Sequence, residues 1–371
     1  MKKFLAGLFF TTSAALSQDT TRLSLLFIGD IMQHQTQISA AFNPKTGRYD
    51  YKPCFQFIKS VLSAPDLTIG NLELTLGGPP YTGYPQFSAP DELLEALKDA
   101  GFDVLVTANN HSMDRGRKGL ERTIDLLDSA RFLHTGTFKD TLDWLNEYPL
   151  VVESKGFRLS LLNYTYGTNG ISVSPPNIVN PIDTARIRHD LQKAKAQQTD
   201  ATIVFLHWGQ EYKSIPNPWQ QRIADFCFTH GAKMVIGSHP HVLQPIEWRK
   251  EPDQVVAYSL GNFISAQWDR YKNGGALLHI DLEKIMMPDS TSSVIMKDVS
   301  YSLAAVYRAR DVQRTYYLLP IEQFETDTTF IGKADRAMGI QFRDDSRVLY
   351  KRENKNVEEK QAHSPVLIKD P

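Results

Sequence analysis

Val104-Leu105-Val106-Thr107-Ala108-Asn109-Asn110-His111-Ser112-Met113-Asp114 sets a short apolar, β-branched run directly against a cluster of groups able to bind a metal. The run reads as a buried strand, because a continuous apolar stretch bounded by turn-forming residues has the length and composition of one. The same juxtaposition recurs along the chain. Leu25-Leu26-Phe27-Ile28 runs into Gly29-Asp30, and Leu67-Thr68-Ile69 into Gly70-Asn71-Leu72-Glu73. Val204-Phe205-Leu206 runs into His207-Trp208-Gly209-Gln210-Glu211, and Val235-Ile236 into Gly237-Ser238-His239-Pro240-His241. In an α/β sheet the ligand crevice lies at the carboxyl ends of the strands, so these groups are expected to converge.

Between the strand candidates, which also include Leu159 to Asn163 and Val255 to Tyr258, lie helical patterns at Pro53–Leu62, Pro90–Ala100, Gly116–Ala130, Thr184–Gln197 and Pro218–His230. Alternation of this kind predicts a layered α/β fold with the sheet covered on both faces. From Gly275 to Leu319 the character changes. Strand-like runs at 276–282, 294–306 and 315–319 follow one another without helices, which predicts an antiparallel region packed against the first part. Lys351 to Lys360 is mostly charged or polar and is expected to be disordered from about residue 350, since it offers little apolar surface to offset chain entropy. Loops at Leu76–Phe87 and Ser172–Pro181 are rich in Gly, Pro and Tyr or Ser, and either form part of a substrate rim or are plain surface loops.

Lys2 and Lys3, the apolar stretch from Phe4 to about Leu16 and the small-residue close Ala15-Leu16-Ser17 have the layout of a secretory signal peptide. The stretch is shorter than the roughly 20 residues that span a bilayer. Residues 1–17 are therefore expected to be removed on export to the periplasm or extracellular space, with a retained membrane anchor as the alternative. Lys and Arg number 41 against 42 Asp and Glu, for a net charge of −1, and the basic residues are scattered. Nucleic acid, which demands a cationic face, is excluded as a partner on that ground. Cys54 and Cys227 sit in apolar helix-like contexts and are expected as buried thiols rather than a disulfide.

Imidazole nitrogen with carboxylate oxygen suits Zn, Mn or Fe, and no thiolate takes part, which points to an open catalytic site rather than a structural one. One or two divalent ions held there would activate water for hydrolysis. His239 and His241 alternate at a strand end and are expected on one side. The glycines before Asp30, Asn71 and His239 are expected to turn the chain and admit backbone to the ion. Glu211 reads either as a partner orienting an imidazole or as a local ion pair, and Arg115 either as an anion contact or as a loop-fixing group. Asp114 is a loop-fixing or supporting carboxylate, and Asn262 faces the crevice. Trp208 and Tyr212 read as packing or rim residues; His134, His189, His230 and His279 lack a companion group and read as structural.

Taken in order, Gly29-Asp30-Ile31-Met32, Gly70-Asn71-Leu72-Glu73, Ala108 to Gly116, His207 to Tyr212, Gly237 to Pro245 and Ser259-Leu260-Gly261-Asn262-Phe263 resemble the bacterial capsule-synthesis family typified by CapA and the poly-γ-glutamate biosynthesis protein PgsA. That family is similar to calcineurin-like metallophosphoesterases. The resemblance covers roughly Leu23 to Ile264 and implies a four-layered α/β/β/α sandwich over 18–320, with extra carboxyl-terminal strands at 275–320 and an extension at 321–371. It implies metal ligands at Asp30, at Asn71 or Glu73 in the bridging position, and at Asn110, His207, His239 and His241. It implies that His111 protonates or stabilises the leaving oxygen. The chain departs from the phosphoesterase pattern in lacking an Asp-x-His, since Met32 stands two residues beyond Asp30 and the next histidine is His34.

The expectation is a metal-dependent hydrolase or synthesis factor of the cell envelope. Its partner would be an anionic or peptide-like surface polymer such as poly-γ-glutamate, capsule or wall material, served by a membrane-bound synthase or exporter. A phosphoesterase acting on mono- or diesters, and a non-catalytic scaffold with a degenerate site, remain the alternatives.

Overall fold

A computed structural model describes residues 20–287, 291–310, 314–326 and 329–360. The expected signal peptide at 1–17 and the last residues of the tail lie outside them. Four parallel strands begin the first sheet: β1 (Thr20–Ile31), β2 (Leu67–Leu72), β3 (Val104–Val106) and β4 (Leu133–Thr135). A second sheet holds β5 (Leu150–Ser154), β6 (Phe157–Thr165), β7 (Ala201–His207), β8 (Met234–Ser238), β9 (Leu243–Arg249) and β10 (Gln254–Leu260), in the order β9-β10-β8-β7-β6-β5. The chain then returns to the first sheet through β11 (Asn262–Ile264), β12 (Gly274–Met286), β13 (Ser292–Arg308) and β14 (Tyr316–Pro320), so that its order is β14-β13-β12-β1-β2-β3-β4.

Side-chain alternation along each strand explains the layering. Leu25 and Phe27 of β1 join Leu159, Leu161, Ile203, Phe205 and Ile236 in a core between the two sheets. Their neighbours Leu26 and Ile28 face outward, against Phe55, Ile58, Leu62, Leu93 and Leu97. On the opposite flank Leu162, Val204 and Val235 meet Ile187, Leu191, Ile223 and Cys227. Those outer residues belong to helices α2 (Lys52–Phe55), α3 (Lys59–Leu62), α4 (Glu92–Ala100), α7 (Thr184–Ala196) and α8 (Pro218–Thr229), or to the short turns between them, and α1 (Gln35–Ala41), α5 (Gly116–Ser129) and α6 (Thr141–Glu147) are the other helices of this part of the chain. The result is a four-layered α/β/β/α sandwich. Each sheet has helices on one face and the other sheet on the second, rather than helices on both faces.

Local signals place the helices. Asp183 accepts the Arg186 backbone N–H at 2.8 Å to start α7, and Asn217 caps α8 with Gln220 reciprocating and Pro218 in the first turn. The Pro53–Leu62 pattern splits into α2 and α3, because Phe57 turns away from the Phe55 cluster to meet Tyr317 and Phe330 at 5.4 and 5.2 Å. Among the described residues no helix is long and apolar enough to cross a membrane. Cys54 and Cys227 are buried free thiols, one under each outer helical layer.

Two expectations are corrected. The carboxyl-terminal strands do not pack as a separate region; β12 pairs antiparallel with β1, Leu25 opposite Ile280, and widens its sheet. The stretch after residue 350 is ordered through Lys360. After α9 (Ile321–Thr326), helix α10 (Lys333–Glu353) runs past it, and β15 (Glu358–Glu359) pairs with β13. Phe342, Tyr350 and Val357, at 2, 2 and 7% exposure, reach the inter-sheet core. The charges that made this stretch look unstructured pair instead, Arg347 with Glu325 at 2.8 Å and with Glu359 at 2.7 Å.

Candidate metal centre

Asp30 lies on β1, Asn71 on β2 and Glu73 just beyond it, while Asn110, His111 and Asp114 occupy the turn between β3 and α5. His207 ends β7, His239 and His241 follow β8, and Asn262 opens β11. Both sheets thus contribute, and stacking them brings these residues together. Asp30, Glu73 and His207 form one group whose ligand atoms lie within 4.8 Å of one another, and Glu73, His239 and His241 form another. Glu73 is common to both. Its Oε1 stands 3.5 Å from His207 Nε2 and 3.8 Å from His241 Nε2.

Hydrogen bonds fix the imidazoles by their other nitrogens. His241 Nδ1 is 3.0 Å from Asn262 Oδ1 and 3.2 Å from Asp30 Oδ2, which turns Nε2 toward Glu73. His207 Nδ1 is 3.0 Å from Ser238 Oγ, and its Nε2 is 2.9 Å from Asn110 Oδ1. His111 Nδ1 is 2.7 Å from Asp114 Oδ2, which also accepts the Phe87 backbone N–H at 2.7 Å. Asn71 donates to Asp30 Oδ1 at 2.8 Å and so orients a carboxylate. Asn109 ties the turn to β2, donating to Leu72 O at 2.8 Å and accepting from the His111 N–H at 3.0 Å.

Burial biases the charges. Burial first, and then neighbouring Asp30, pushes the Glu73 carboxyl well above the usual range. Burial holds His207 well below 6.5 and His239 at about 3, with the other histidines adding to the effect. Both Glu73 oxygens and His239 Nδ1 are buried without a hydrogen-bond partner. An unsatisfied buried carboxylate is costly, and a divalent cation is the partner that would satisfy it. An oxygen-and-imidazole donor set without thiolate fits Mn, Zn or Fe, and the residues present fit such a group.

Several expectations change. His239 and His241 do not converge by strand alternation. They lie beyond β8 with φ of 98° and 58°, a left-handed backbone that non-glycine residues adopt at some cost and that here aims both rings inward. The glycines serve close packing rather than turning: a Cβ on Gly29 would come within 2.0 Å of the Gly261 carbonyl oxygen, and one on Gly237 within 2.1 Å of that of Tyr258. Glu211 is exposed and bonds no imidazole; Asn262, Ser238 and Asp114 perform that task. Arg115 fixes a loop, donating to Pro80 O and Thr82 Oγ1 at 3.2 and 3.3 Å. Met32 is buried in the outer apolar cluster. His34 does not replace the missing histidine, since it caps α1 and its Nδ1 accepts the Ala266 N–H at 3.3 Å.

The Leu76–Phe87 loop does reach the centre, with the Phe87 ring 4.6 Å from that of His111. Ser172–Pro181 instead lies over α5, where Asn177 meets Glu121 at 2.9 Å. Tyr166 and Asn169 were missed. The Tyr166 ring is 4.5 Å from His239, and Asn169 Oδ1 accepts from Asn110 at 3.3 Å. The signal was present, because Tyr166 immediately follows β6, at one more strand end.

The chain is similar in structure to Haemophilus influenzae NAD nucleotidase (NadN), with a TM-score of 0.47, 12% identity, and coverage of 94% of this chain and 65% of that one. It is similar as well to the calcineurin-like phosphoesterase YfkN of Bacillus subtilis, with a TM-score of 0.47, 14% identity, and coverage of 88% and 98%. In sequence it is 31% identical to the capsule biosynthesis protein CapA of Bacillus anthracis, over 69% of this chain and 63% of that protein. It is 30% identical to the PGA biosynthesis protein CapA of Bacillus subtilis (strain 168), over 71% and 68%. The chain therefore spans about two thirds of the length of these relatives. The family described as bacterial capsule synthesis protein PGA_cap matches residues 24–267, a span that holds every residue of the centre, and the chain belongs to that family.

Proposed function

We propose that this chain is an exported, metal-dependent hydrolase that acts on a polymer of the cell surface during its synthesis or processing. The observation that carries the reading is Glu73, a fully buried carboxylate with two unpartnered oxygens, shared by two groups of ligands. Asp30, Glu73 and His207, with Asn110 beside His207, would hold one divalent ion, and Glu73, His239 and His241 a second. Such ions, when bound, lower the pKa of a coordinated water and polarise the bond to be cleaved.

The chain's own groups do the rest. Asn262 and Asp30 keep a proton on His241 Nδ1, and Ser238 steadies His207, so both rings present Nε2 to the centre. Asp114 holds Nδ1 of His111, which leaves Nε2 of that ring to exchange a proton with the departing oxygen. The turn after β3 and the Phe87 ring screen His111 from bulk water.

Metal analysis of the purified protein tests the reading, followed by turnover of aryl phosphates and γ-glutamyl peptides with Mn or Zn. Retained metal with hydrolysis that disappears in Asp30→Ala and His239→Ala is expected. A protein that takes up no metal at millimolar Mn or Zn is no such hydrolase, and a preference for aryl phosphates assigns it to phosphoesters instead. Intact mass of the secreted protein tests export, with residues 1–17 expected to be missing.

A further inference from the structure

Among the groups proposed to hold the ions, Asn110 alone offers an amide, and an amide has two unlike ends. Its oxygen can meet a cation, whereas its NH2 only donates and repels one. In this structure Asn110 Oδ1 lies 2.9 Å from His207 Nε2, on the side of the centre. The residue is 2% exposed, so bulk water does not select that orientation. A neighbour must do so.

The segment that leaves β6 supplies it. Asn169 Oδ1 accepts a hydrogen bond from Asn110 Nδ2 at 3.3 Å, and a carbonyl oxygen in that place pairs only with the NH2 end. The Tyr166 hydroxyl stands 3.5 Å from the same oxygen and donates to it. Asn169 has a φ of 49°, a left-handed backbone that asparagine adopts more readily than most residues. The segment is tied at both ends. The Tyr166 N–H donates to His207 O at 3.0 Å, and Ile171 packs against Ala108, Met113 and Leu120. It thus spans from the strand of His207 to the turn that carries Asn110.

Within β6 itself, Asn163 fixes the backbone of that turn. Its Oδ1 accepts the Ala108 N–H at 2.6 Å, and its Nδ2 reaches Phe205 O at 3.4 Å and Ala108 O at 3.5 Å. Ala108 follows β3 of the first sheet and Phe205 belongs to β7 of the second, so one side chain bridges the sheets beside the centre. Gly136 makes the bridge possible, because a Cβ there would come within 2.1 Å of Asn163 Oδ1 and 2.5 Å of the Ala108 nitrogen. Asn163 is 1% exposed, and a buried amide is costly unless it is bonded. Here its bonds end two residues before Asn110.

We propose that Asn163 and Asn169 are positioning residues for Asn110: Asn163 holds the backbone of its turn, and Asn169 selects the face of its amide, so that Oδ1 and not the NH2 is offered to the ion. The inference rests on the reading that Asn110 stands among the groups that hold a divalent metal.

The test is the Zn affinity of the full chain, titrated against a competing chelator. Asn169→Gly keeps the left-handed backbone and removes the amide, and it should weaken Zn binding about two- to tenfold, the worth of one hydrogen bond. Asn169→Asp, whose carboxylate only accepts, should bind at least as tightly as the wild type. In an Asn110→Ala background, where Glu73 and the histidines still hold Zn, Asn169→Gly should cost nothing further, because the group it acts through is gone. Asn163→Ala should weaken binding about 10- to 100-fold, with most of that loss vanishing in the same background. Should Asn163→Ala fail to fold, the Asn169 variants decide the matter. Wild-type affinity in Asn169→Gly, equal losses in Asn169→Gly and Asn169→Asp, or an undiminished loss in the Asn110→Ala background would each overturn the proposal. Failure of the hydrolase reading is distinguishable: the wild-type chain itself would then take up no Zn, which removes both, whereas a wild type that binds Zn as its variants do removes the positioning roles alone.

Discussion

Nε2 of His207 stands 3.5 Å from Oε1 of Glu73, and neither side chain is exposed to water. One group ends a strand of the second sheet and the other follows a strand of the first, so stacking of the sheets makes the contact. Burial drives each toward its neutral form, the carboxyl by raising its pKa and the imidazole by lowering it. A divalent cation between them would restore the charge of Glu73 and take the lone pair of His207.

Replacing the charge while keeping the shape isolates that role. Glu73→Gln should abolish retention of divalent metal, read by elemental analysis of the purified variant. It should also lose the stabilisation that Mn or Zn confers on the wild type, which is about 2.7 kcal/mol at a hundredfold excess over Kd. Equal metal content in the two proteins would remove Glu73 from the centre.

Asn262 is expected to act through His241. Asn262→Ala leaves Nδ1 of His241 held by Asp30 alone, and metal affinity should fall about 10- to 100-fold, as for other groups that orient a ligand. Titration with Zn against a competing chelator measures it. An unchanged affinity would mean that Asp30 suffices to hold the ring.

His279 offers a pH test away from the centre. Its Nε2 is 2.9 Å from Ser302 Oγ, and burial holds its pKa at about 4 instead of 6.5. The unfolded chain takes up a proton there before the native state does. The stability is therefore complete above pH 6.5 and is lost as pH falls toward 4. Urea unfolding at neutral pH and near pH 4.5 should show a smaller acid loss in His279→Gln than in the wild type, by on the order of 2 kcal/mol. Equal losses would show that this histidine does not contribute.

The carboxyl-terminal helix is expected to be part of the core. Phe342→Ala should lower unfolding free energy by about 3–5 kcal/mol, whereas Val348→Ala, 64% exposed on the same helix, should change it by less than about 0.5 kcal/mol. Denaturant titration separates the two. Similar small effects would return α10 to the status of a loosely attached extension.

Much of this was legible in the residues themselves. Apolar runs such as Leu25 to Ile28 and Val204 to Leu206 announce strands, because only a sheet buried on both faces accommodates them. The polar clusters at their ends locate the centre. Other features were not legible, since periodicity reports which face of a strand is buried and not which layer buries it. Whether strands such as Gly274–Met286 extend the sheet of β1 or pack against it depends on register. The anchoring of Phe342, Tyr350 and Val357 was hidden by the charges between them.

What the sequence determined by itself is the inventory and its order: strands, helices, and groups able to bind a metal at strand ends. Only the tertiary structure decided that Glu73 is the carboxylate common to both ligand groups, that Asn262 and not Glu211 steadies His241, and that the Tyr166 ring lies against His239. Local sequence sets the preferences of each segment, whereas distances of a few ångströms between residues remote in the chain arise only when two sheets pack face to face.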